Sequence, residues 1–292
     1  MKILSITAQK PHSTGSGTYL TELVNSWHRM GHEQAVVAGI YPDDVVSFPA
    51  GVDFYPVYFS NWGQAPIGKI SNRCLSLIGY PIVGMSDAMP YESTRYRDLT
   101  DDMVYEFEEA FLQQIQAAVD ALDPDLIVCH HLFLLTAIVR RSFPDRKIYG
   151  ISHGTDLRQM LYCPGLAPIV APEISRLDKV FALHGEQAQQ ISELYDIARD
   201  EIVVIGSGYN NRLFNIEDRT HRKAGDPVRI CYAGKMSMAK GIPELLEVLA
   251  RLDKDESVPE FTMTLVGGCQ EPEVQHMLDN RPAYIEYLGQ IP

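Results

Sequence analysis

Residues 1–40 read MKILSITAQKPHSTGSGTYLTELVNSWHRMGHEQAVVAGI, and this stretch decides the fold class. Residues 3–7 and 35–40 are short apolar runs next to turn residues, which is typical of buried strands. Between these runs, a helical spacing of i, i+3, i+4, i+7 is met by Leu20, Leu23, Val24 and Trp27. The order strand, helix, strand predicts a βαβ unit and therefore a parallel sheet.

The same alternation continues to about residue 205. Strands are predicted at 53–59, 126–129, 148–151, 179–183 and 201–206, and helices at 102–122, 133–141, 168–177 and 186–195. Residues 41–101 are less regular and rich in turn residues. A long irregular insertion inside a compact domain is usually functional or mobile.

A second βαβ series follows a polar and charged stretch at 215–227. It contains strands at 228–233, 261–266 and 285–288, with helices at 243–252 and 271–279. A Rossmann-like domain usually has five or six strands, and only three are visible here. The predicted organisation is a Rossmann-like domain at 1–205, a linker at 206–227, and a partial Rossmann-like domain at 228–292.

The composition argues against several classes of protein. The chain has 292 residues and a formal net charge of -13, whereas nucleic-acid binding needs a basic surface. The cysteines lack CxxC spacing, which indicates free thiols in a reducing compartment. They are Cys74, Cys129, Cys163, Cys231 and Cys269. The first apolar run is too short for a signal peptide, so we expect a cytoplasmic protein, with peripheral membrane contact left open.

The most informative motif is YAGKMSMAKGIPELLEVLARL at 232–252. A predicted strand ends at Gly234, Lys235 follows directly, and Lys240 and Gly241 precede a predicted helix. Two cations beside a helix N-terminus form a site for a diphosphate. The alternative is a pair of ordinary surface lysines. The order GxxxxGK[ST] of a P-loop is absent.

A glycine-rich loop follows the first strand. Gly15, Ser16, Gly17 and Thr18 stand where a helix N-terminus offers free N–H groups to an anion, although a simple tight turn explains them equally well. The full GxGxxG spacing is missing, and no acidic residue ends the second strand. A nicotinamide dehydrogenase is therefore not expected.

Histidines follow two further strands. His153 begins the sequence HGTDLR with Asp156, and His130 and His131 follow the strand at 126–129. Ligands bind at the carboxyl ends of strands in α/β sheets, so these side chains are candidates for the site, with structural packing as the alternative. No third ligand stands at metal spacing, and the DxD sequence at 123–125 is interpreted as a helix stop. No metal and no cofactor are expected.

Taken together, these motifs resemble the family 4 glycosyltransferases, which are retaining enzymes with the GT-B fold. The resemblance is carried by GSGTYL, PDLIVCHH, HGTD, VIGSGYNNRLF, YAGKMSMAKGIPELLEVL, LVGG and IEYLGQIP. It implies two Rossmann-like domains with parallel sheets facing a cleft. The C-terminal domain would bind a nucleotide-diphospho-sugar donor, and the N-terminal domain an acceptor that is a glycan, a lipid or a small molecule. Residues 60–101 would determine that acceptor.

The resemblance also assigns roles to residues. Gly234, Lys235 and Lys240 would hold the diphosphate, with Lys235 standing where the family usually has arginine. His153 would be catalytic. The residues expected on the acceptor side are Gly15, Ser16, Gly17, Thr18, His131, Asp156 and Asn210, and Asn210 replaces the aspartate of the usual GVD turn.

One family motif is missing from the sequence. The E-x7-E segment would follow IEYLGQIP, so the second domain is expected to be incomplete and this chain alone inactive. Two other functions remain open at this point. They are a non-catalytic nucleotide-sugar or glycan-binding fragment and a GT-B sugar-nucleotide epimerase.

Overall fold

A computed structural model describes residues 1–61, 77–87, 89–212, 214, 215, 223 and 225–291. The chain folds into two compact units, Met1–Phe214 and Asn215–Pro292. The predicted linker at 206–227 and the predicted acceptor-selecting segment at 60–101 both include residues outside the described set. The linker boundaries therefore stay a prediction.

The first unit alternates strands and helices. In chain order its elements are β1 (Lys2–Thr7), α1 (Gly15–Arg29), β2 (Glu33–Ile40), β3 (Val52–Phe59), β4 (Leu77–Ile78), β5 (Val83–Gly84), β6 (Thr94–Arg95), α2 (Asp101–Leu122), β7 (Leu126–His130), α3 (Leu134–Ser142), β8 (Ile148–Ile151), α4 (Thr155–Tyr162), α5 (Ala167–Ile174), β9 (Lys179–Ala182), α6 (Gly185–Tyr195) and β10 (Ile202–Val204).

The main sheet of this unit is parallel throughout, in the order β10-β9-β8-β7-β1-β2-β3-β4. Its central strands β1, β2 and β7 are buried on both faces, as is typical of parallel sheets. Leu4 and Ile6 of β1 pack in the large core that includes α2, whereas Ile3 packs with residues of α1 on the other face. This explains why the sequence of β1 is a nearly continuous apolar run.

The second unit consists of β11 (Val228–Ala233), α7 (Ile242–Leu252), β12 (Phe261–Val266), α8 (Pro272–Asp279) and β13 (Ile285–Tyr287). The strands form a parallel sheet in the order β11-β12-β13. Phe261, Met263 and Leu265 of β12 are buried in one core with residues of both helices. Thr262, between them, is exposed. Both helices therefore cover the same face of this sheet.

The parallel sheets and the α/β alternation confirm the predicted fold class. Two features of the first unit were not predicted. The residues after Gly154 in HGTDLR begin the helix α4, and the insertion contains the short strands β4, β5 and β6. Glycine, threonine and aspartate favour turns locally, so the helical start of α4 was hidden in the sequence.

Among the described residues, no helix has the length and apolarity needed to cross a membrane. The four described cysteines, Cys129, Cys163, Cys231 and Cys269, are free, in agreement with the prediction for these positions. The fifth, Cys74, lies outside the described residues.

Candidate functional site

The strand order of the first unit reverses between β1 and β7. From β1 the chain proceeds to β2 on one side, whereas β7, β8 and β9 follow one another on the other side. Ligands of open α/β sheets bind outside the carboxyl ends of strands at such a reversal. The residues that follow β1, β7 and β8 therefore lie where this fold places a ligand.

Three histidines and one tyrosine meet at this edge. The ring of Tyr19, in the first turns of α1, lies edge-on to the ring of His153, with centroids 5.2 Å apart. The ring of His131 lies 4.8 Å from that of His153. Nδ1 of His130 and Nε2 of His153 are 3.1 Å apart and share a hydrogen bond. We call His130, His131, His153 and Tyr19 the histidine cluster.

The imidazoles of this cluster are neutral at physiological pH. Burial lowers the pKa of His131 to about 3, and burial together with the neighbouring His131 lowers the pKa of His153 to about 3. The pKa of His130 is also well below its usual value, first because of burial and then because of the two other histidines. Neutral imidazoles can donate or accept a hydrogen bond, but they do not attract anions.

The three imidazole rings differ in their exposure and in which ring nitrogens lack a hydrogen-bond partner among the described residues. His130 and His131 are each 2% exposed, and Nε2 of His130 and both ring nitrogens of His131 are buried with no hydrogen-bond partner among the described residues. His153 is half-buried, and its Nδ1 has no hydrogen-bond partner in the described part of the chain. His153 is therefore the histidine best placed to contact a ligand directly, while His130 holds its ring.

Asp156 lies beneath this cluster and is fully buried. Its carboxylate accepts hydrogen bonds from the backbone N–H of Leu132 at 2.8 Å, the backbone N–H of His153 at 3.1 Å and the hydroxyl of Ser152 at 3.1 Å. These donors follow β7 and β8, so Asp156 joins the two loops that carry the histidines. Its observed contacts are those of a positioning residue.

The glycine-rich loop also lies at this edge of the sheet. Thr14 caps α1 by accepting a hydrogen bond from the N–H of Gly17, and the N–H of Thr18 bonds to the carbonyl of Thr14. A Cβ atom on Gly17 would lie 2.4 Å from the carbonyl oxygen of Lys10, so only glycine fits there. The amides of Gly15 and Ser16 have no partner within the described residues.

Two residues of this edge were missed by the sequence analysis. Tyr19 belongs to the apolar pattern of α1, which hid its contact with the histidines. Gln9 follows β1, is only 1% exposed, and its Nε2 is buried with no hydrogen-bond partner in the described part of the chain. Because buried side-chain amides are nearly always paired, this donor beside Ser16 is available to a water molecule or a polar ligand. The predicted Asn210 lies near α1, with its Nδ2 3.5 Å from Glu22.

The second unit holds the other predicted residues, in the segment 235–241 that we call the lysine turn. Lys235 and Lys240 are exposed, and neither forms an ion pair in the described part of the chain. Gly241 precedes α7 with φ of 72°, and no side chain caps this helix. The turn thus combines two unpaired cations with the uncapped positive end of a helix dipole.

Gly234 and Gly267 hold this edge of the second sheet close together. A Cβ atom on Gly267, at its φ of 142°, would lie 1.8 Å from the carbonyl oxygen of Gly234. Gly234 donates to Val266, and Gly267 donates to Gly289, so the ends of all three strands are joined. The close approach explains why glycine stands at position 267, directly after β12.

Neither unit contains a metal-binding cluster within the described residues, where no three histidine, cysteine, aspartate or glutamate side chains are grouped for one ion. The predicted residues form two groups of opposite character. The neutral histidine cluster lies in the first unit, and the cationic lysine turn lies in the second.

Comparisons with known proteins find similarity in structure but not in sequence. No protein-family profile matches the chain, and no curated protein resembles it in sequence. Solved structures do match. Sucrose-phosphate synthase from Thermosynechococcus elongatus has a TM-score of 0.64 at 15% identity, covering 100% of this chain and 71% of the synthase. The fold is that of GT-B glycosyltransferases.

Two further structures agree. HepE from Anabaena, in complex with UDP and glucose, has a TM-score of 0.58 at 13% identity, with 100% of this chain and 70% of HepE covered. The catalytic domain of starch synthase IV from Arabidopsis thaliana, bound to ADP and acarbose, has a TM-score of 0.58 at 12% identity, with 100% and 74% covered. At these identities the likeness shows a shared fold.

Proposed function

We propose that this protein is a glycosyltransferase that uses a nucleotide-diphospho-sugar donor, and that it works with retention of configuration like the family 4 enzymes it resembles. The observation that carries the proposal is the lysine turn, where two unpaired lysines stand beside the uncapped N-terminus of α7. Structures of the same fold in complex with UDP or bound to ADP support a nucleotide donor.

The lysine turn would act on the leaving group. When the bond between the anomeric carbon and the diphosphate oxygen breaks, negative charge grows on the diphosphate. Lys235, Lys240 and the positive end of the α7 helix dipole would stabilise that charge electrostatically. Two cations and a helix N-terminus supply the positive charge that a metal ion supplies in other enzymes, so we propose a reaction that needs neither metal nor cofactor.

The histidine cluster would act on the sugar. Neutral His153, held through Nε2 by His130, presents Nδ1 as a hydrogen-bonding group for a hydroxyl. Gly15, Ser16, Gly17 and Thr18 would contribute amides and hydroxyls on the acceptor side, near Gln9. A glycan, lipid or small-molecule acceptor, a cytoplasmic location and peripheral membrane contact are parts of the same proposal.

Nucleotide binding provides the direct test. UDP, ADP and GDP are titrated into the chain by calorimetry, and the diphosphate that binds is used with the variants Lys240→Ala and Lys254→Ala. Lys240→Ala loses a charge-assisted contact of about 1.5–3 kcal/mol, which is roughly 10- to 150-fold in affinity. Lys254 is an exposed lysine of the same unit, outside the turn, so its removal is the matched control.

Turnover separates the enzyme from the alternatives. Release of nucleoside diphosphate from a panel of nucleotide-sugars is measured on the full-length protein with and without candidate acceptors, and His153→Ala is expected to slow release while sparing nucleotide affinity. A full-length protein that binds nucleotide without turnover is a binding module, and acceptor-independent conversion of the nucleotide-sugar into its epimer indicates an epimerase. Equal affinity of Lys240→Ala and the unaltered chain would show that the donor site is misplaced.

A further inference from the structure

Glu271 connects the lysine turn to the segment that follows β12. It directly precedes α8, and its Oε2 accepts a hydrogen bond of 2.8 Å from the backbone N–H of Met238. Met238 begins the 3-10 turn Met238–Lys240, which carries Lys240. The two residues are 33 positions apart, so the bond joins the segments that follow β11 and β12.

This hydrogen bond satisfies the backbone N–H of Met238, which has no acceptor within the turn. Within the turn, the N–H of Lys240 bonds to Ser237 at 3.2 Å and the N–H of Gly241 bonds to Met238 at 2.9 Å. The N–H of Met238 has no backbone acceptor among the described residues, and the carboxylate of Glu271 takes it. A 3-10 turn of three residues has few bonds of its own, so this contact fixes its orientation.

Glu271 is itself held firmly. Its backbone carbonyl accepts the N–H of Gln275 in the first turn of α8 at 2.9 Å. Two residues earlier, Cys269 pairs with Met236 in an isolated parallel bridge. The carboxylate therefore extends from an anchored backbone to the start of the turn. This contact fixes the position of Lys240 relative to the sheet.

The charge of Glu271 has the opposite effect on an anion. A carboxylate near two lysines repels a diphosphate, because like charges at short range raise its free energy. Electrostatics alone therefore predicts that removal of Glu271 strengthens anion binding, whereas a positioning role predicts that removal weakens it. The two predictions have opposite signs.

We propose that Glu271 is a positioning residue of the donor site, which fixes the lysine turn so that Lys235 and Lys240 meet the diphosphate of a nucleotide-sugar. The inference rests on the proposed function. Glutamine at this position keeps a carbonyl oxygen that accepts the N–H of Met238 and removes the charge, whereas alanine removes both. The pair of variants separates geometry from charge.

Three variants of the whole chain are compared by calorimetry with the nucleoside diphosphate that the unaltered chain binds. Glu271→Ala is expected to weaken binding about tenfold, as loss of one charge-assisted hydrogen bond does. Glu271→Gln is expected to bind as tightly as the unaltered chain or a few-fold more tightly. Glu273→Ala, at an exposed position of α8 two residues away, is the control that removes a similar charge without this contact.

A second measurement does not depend on the ligand. Hydrogen–deuterium exchange of peptides covering 236–241 is expected to accelerate in Glu271→Ala and to stay unchanged in Glu271→Gln. If Glu271→Ala binds as tightly as Glu273→Ala, with unchanged exchange, the positioning role is overturned while a loss in Lys240→Ala still supports the donor site. If the unaltered chain binds no nucleoside diphosphate, the proposed function fails and this inference fails with it.

Discussion

The turns after β1 and β11 follow the same path, from a parallel strand into a helix, yet they have different chemistry. After β1, the helix is capped by Thr14 and the neighbouring Gln9 is buried. After β11, the helix has no side-chain cap and both lysines are exposed. The path is a property of the fold, whereas the charge and the burial of the turn determine which ligand it suits.

The same difference extends to the groups around each turn. In the first unit, the histidine cluster is largely buried and neutral. Asp156 accepts hydrogen bonds from the loops that carry the cluster. In the second unit, Lys235 and Lys240 are exposed to water and form no ion pair among the described residues. Substitutions in the first group should therefore change the free energy of unfolding, while substitutions in the second should change ligand affinity and leave stability nearly unaltered.

The largest effect is expected for Asp156→Ala. It leaves the N–H groups of Leu132 and His153 and the hydroxyl of Ser152 without their acceptor, at a cost of about 3–5 kcal/mol in the free energy of unfolding. Urea unfolding followed by tryptophan fluorescence measures this, because both tryptophans, at 27 and 62, precede residue 215. Asp145→Ala, at an exposed site, is the control, and equal midpoints for the two variants would contradict the prediction.

A smaller effect is expected from pH. The pKa of His131 is about 3 in the folded chain and 6.5 when unperturbed, so the unfolded chain binds more protons between these values. Stability from this residue is present above pH 6.5 and is lost as the pH falls towards 3. Between pH 7 and pH 5 the loss is about 2 kcal/mol.

Asparagine at position 131 removes this titration and suits the positive φ of 72° found there. His131→Asn should therefore lose less stability than the unaltered chain between pH 7 and pH 5, as measured by urea midpoints at each pH. His28→Asn, on the exposed end of α1, should follow the unaltered chain. Parallel pH profiles for all three proteins would show that His131 is not held neutral.

A still smaller effect is expected for Lys235→Arg. Arginine keeps the charge and adds a forked pair of donors that suits a phosphate, so affinity for the nucleoside diphosphate should stay within about twofold or improve. Lys235→Ala should weaken it about tenfold. Urea midpoints for both should equal that of the unaltered chain, because Lys235 is exposed. A stability loss in Lys235→Ala would remove the contrast between the two units.

The last prediction concerns the boundary between the two units and involves no change in stability or affinity. Limited proteolysis should cut first within 206–227, the predicted linker, and the products should be read by mass spectrometry. Fragments that end between these residues and keep their own resistance to protease would support two separate units. First cleavage elsewhere would contradict the predicted boundary.

Much of the fold could be predicted from the sequence because hydrophobic periodicity and turn residues are local signals. Strands β11 and β12 begin and end where their apolar runs do, and α2 begins within one residue of the predicted start. The candidate site was less accessible. His153, Lys235 and Lys240 could be named because they follow strands. Tyr19 and Glu271 could not, since their contacts join distant parts of the chain, and Gln9 could not, since its burial depends on the packing around it.

The sequence by itself determined that this protein has parallel sheets, that its glycines stand at strand ends, and that two lysines flank the start of a helix. Only the tertiary structure decided that β1 lies between β2 and β7, which brings Tyr19 to His153, and that Glu271 reaches Met238. The physical reason is that hydrophobic periodicity specifies which face of an element is buried, whereas the neighbour of that face is selected by packing among all elements at once.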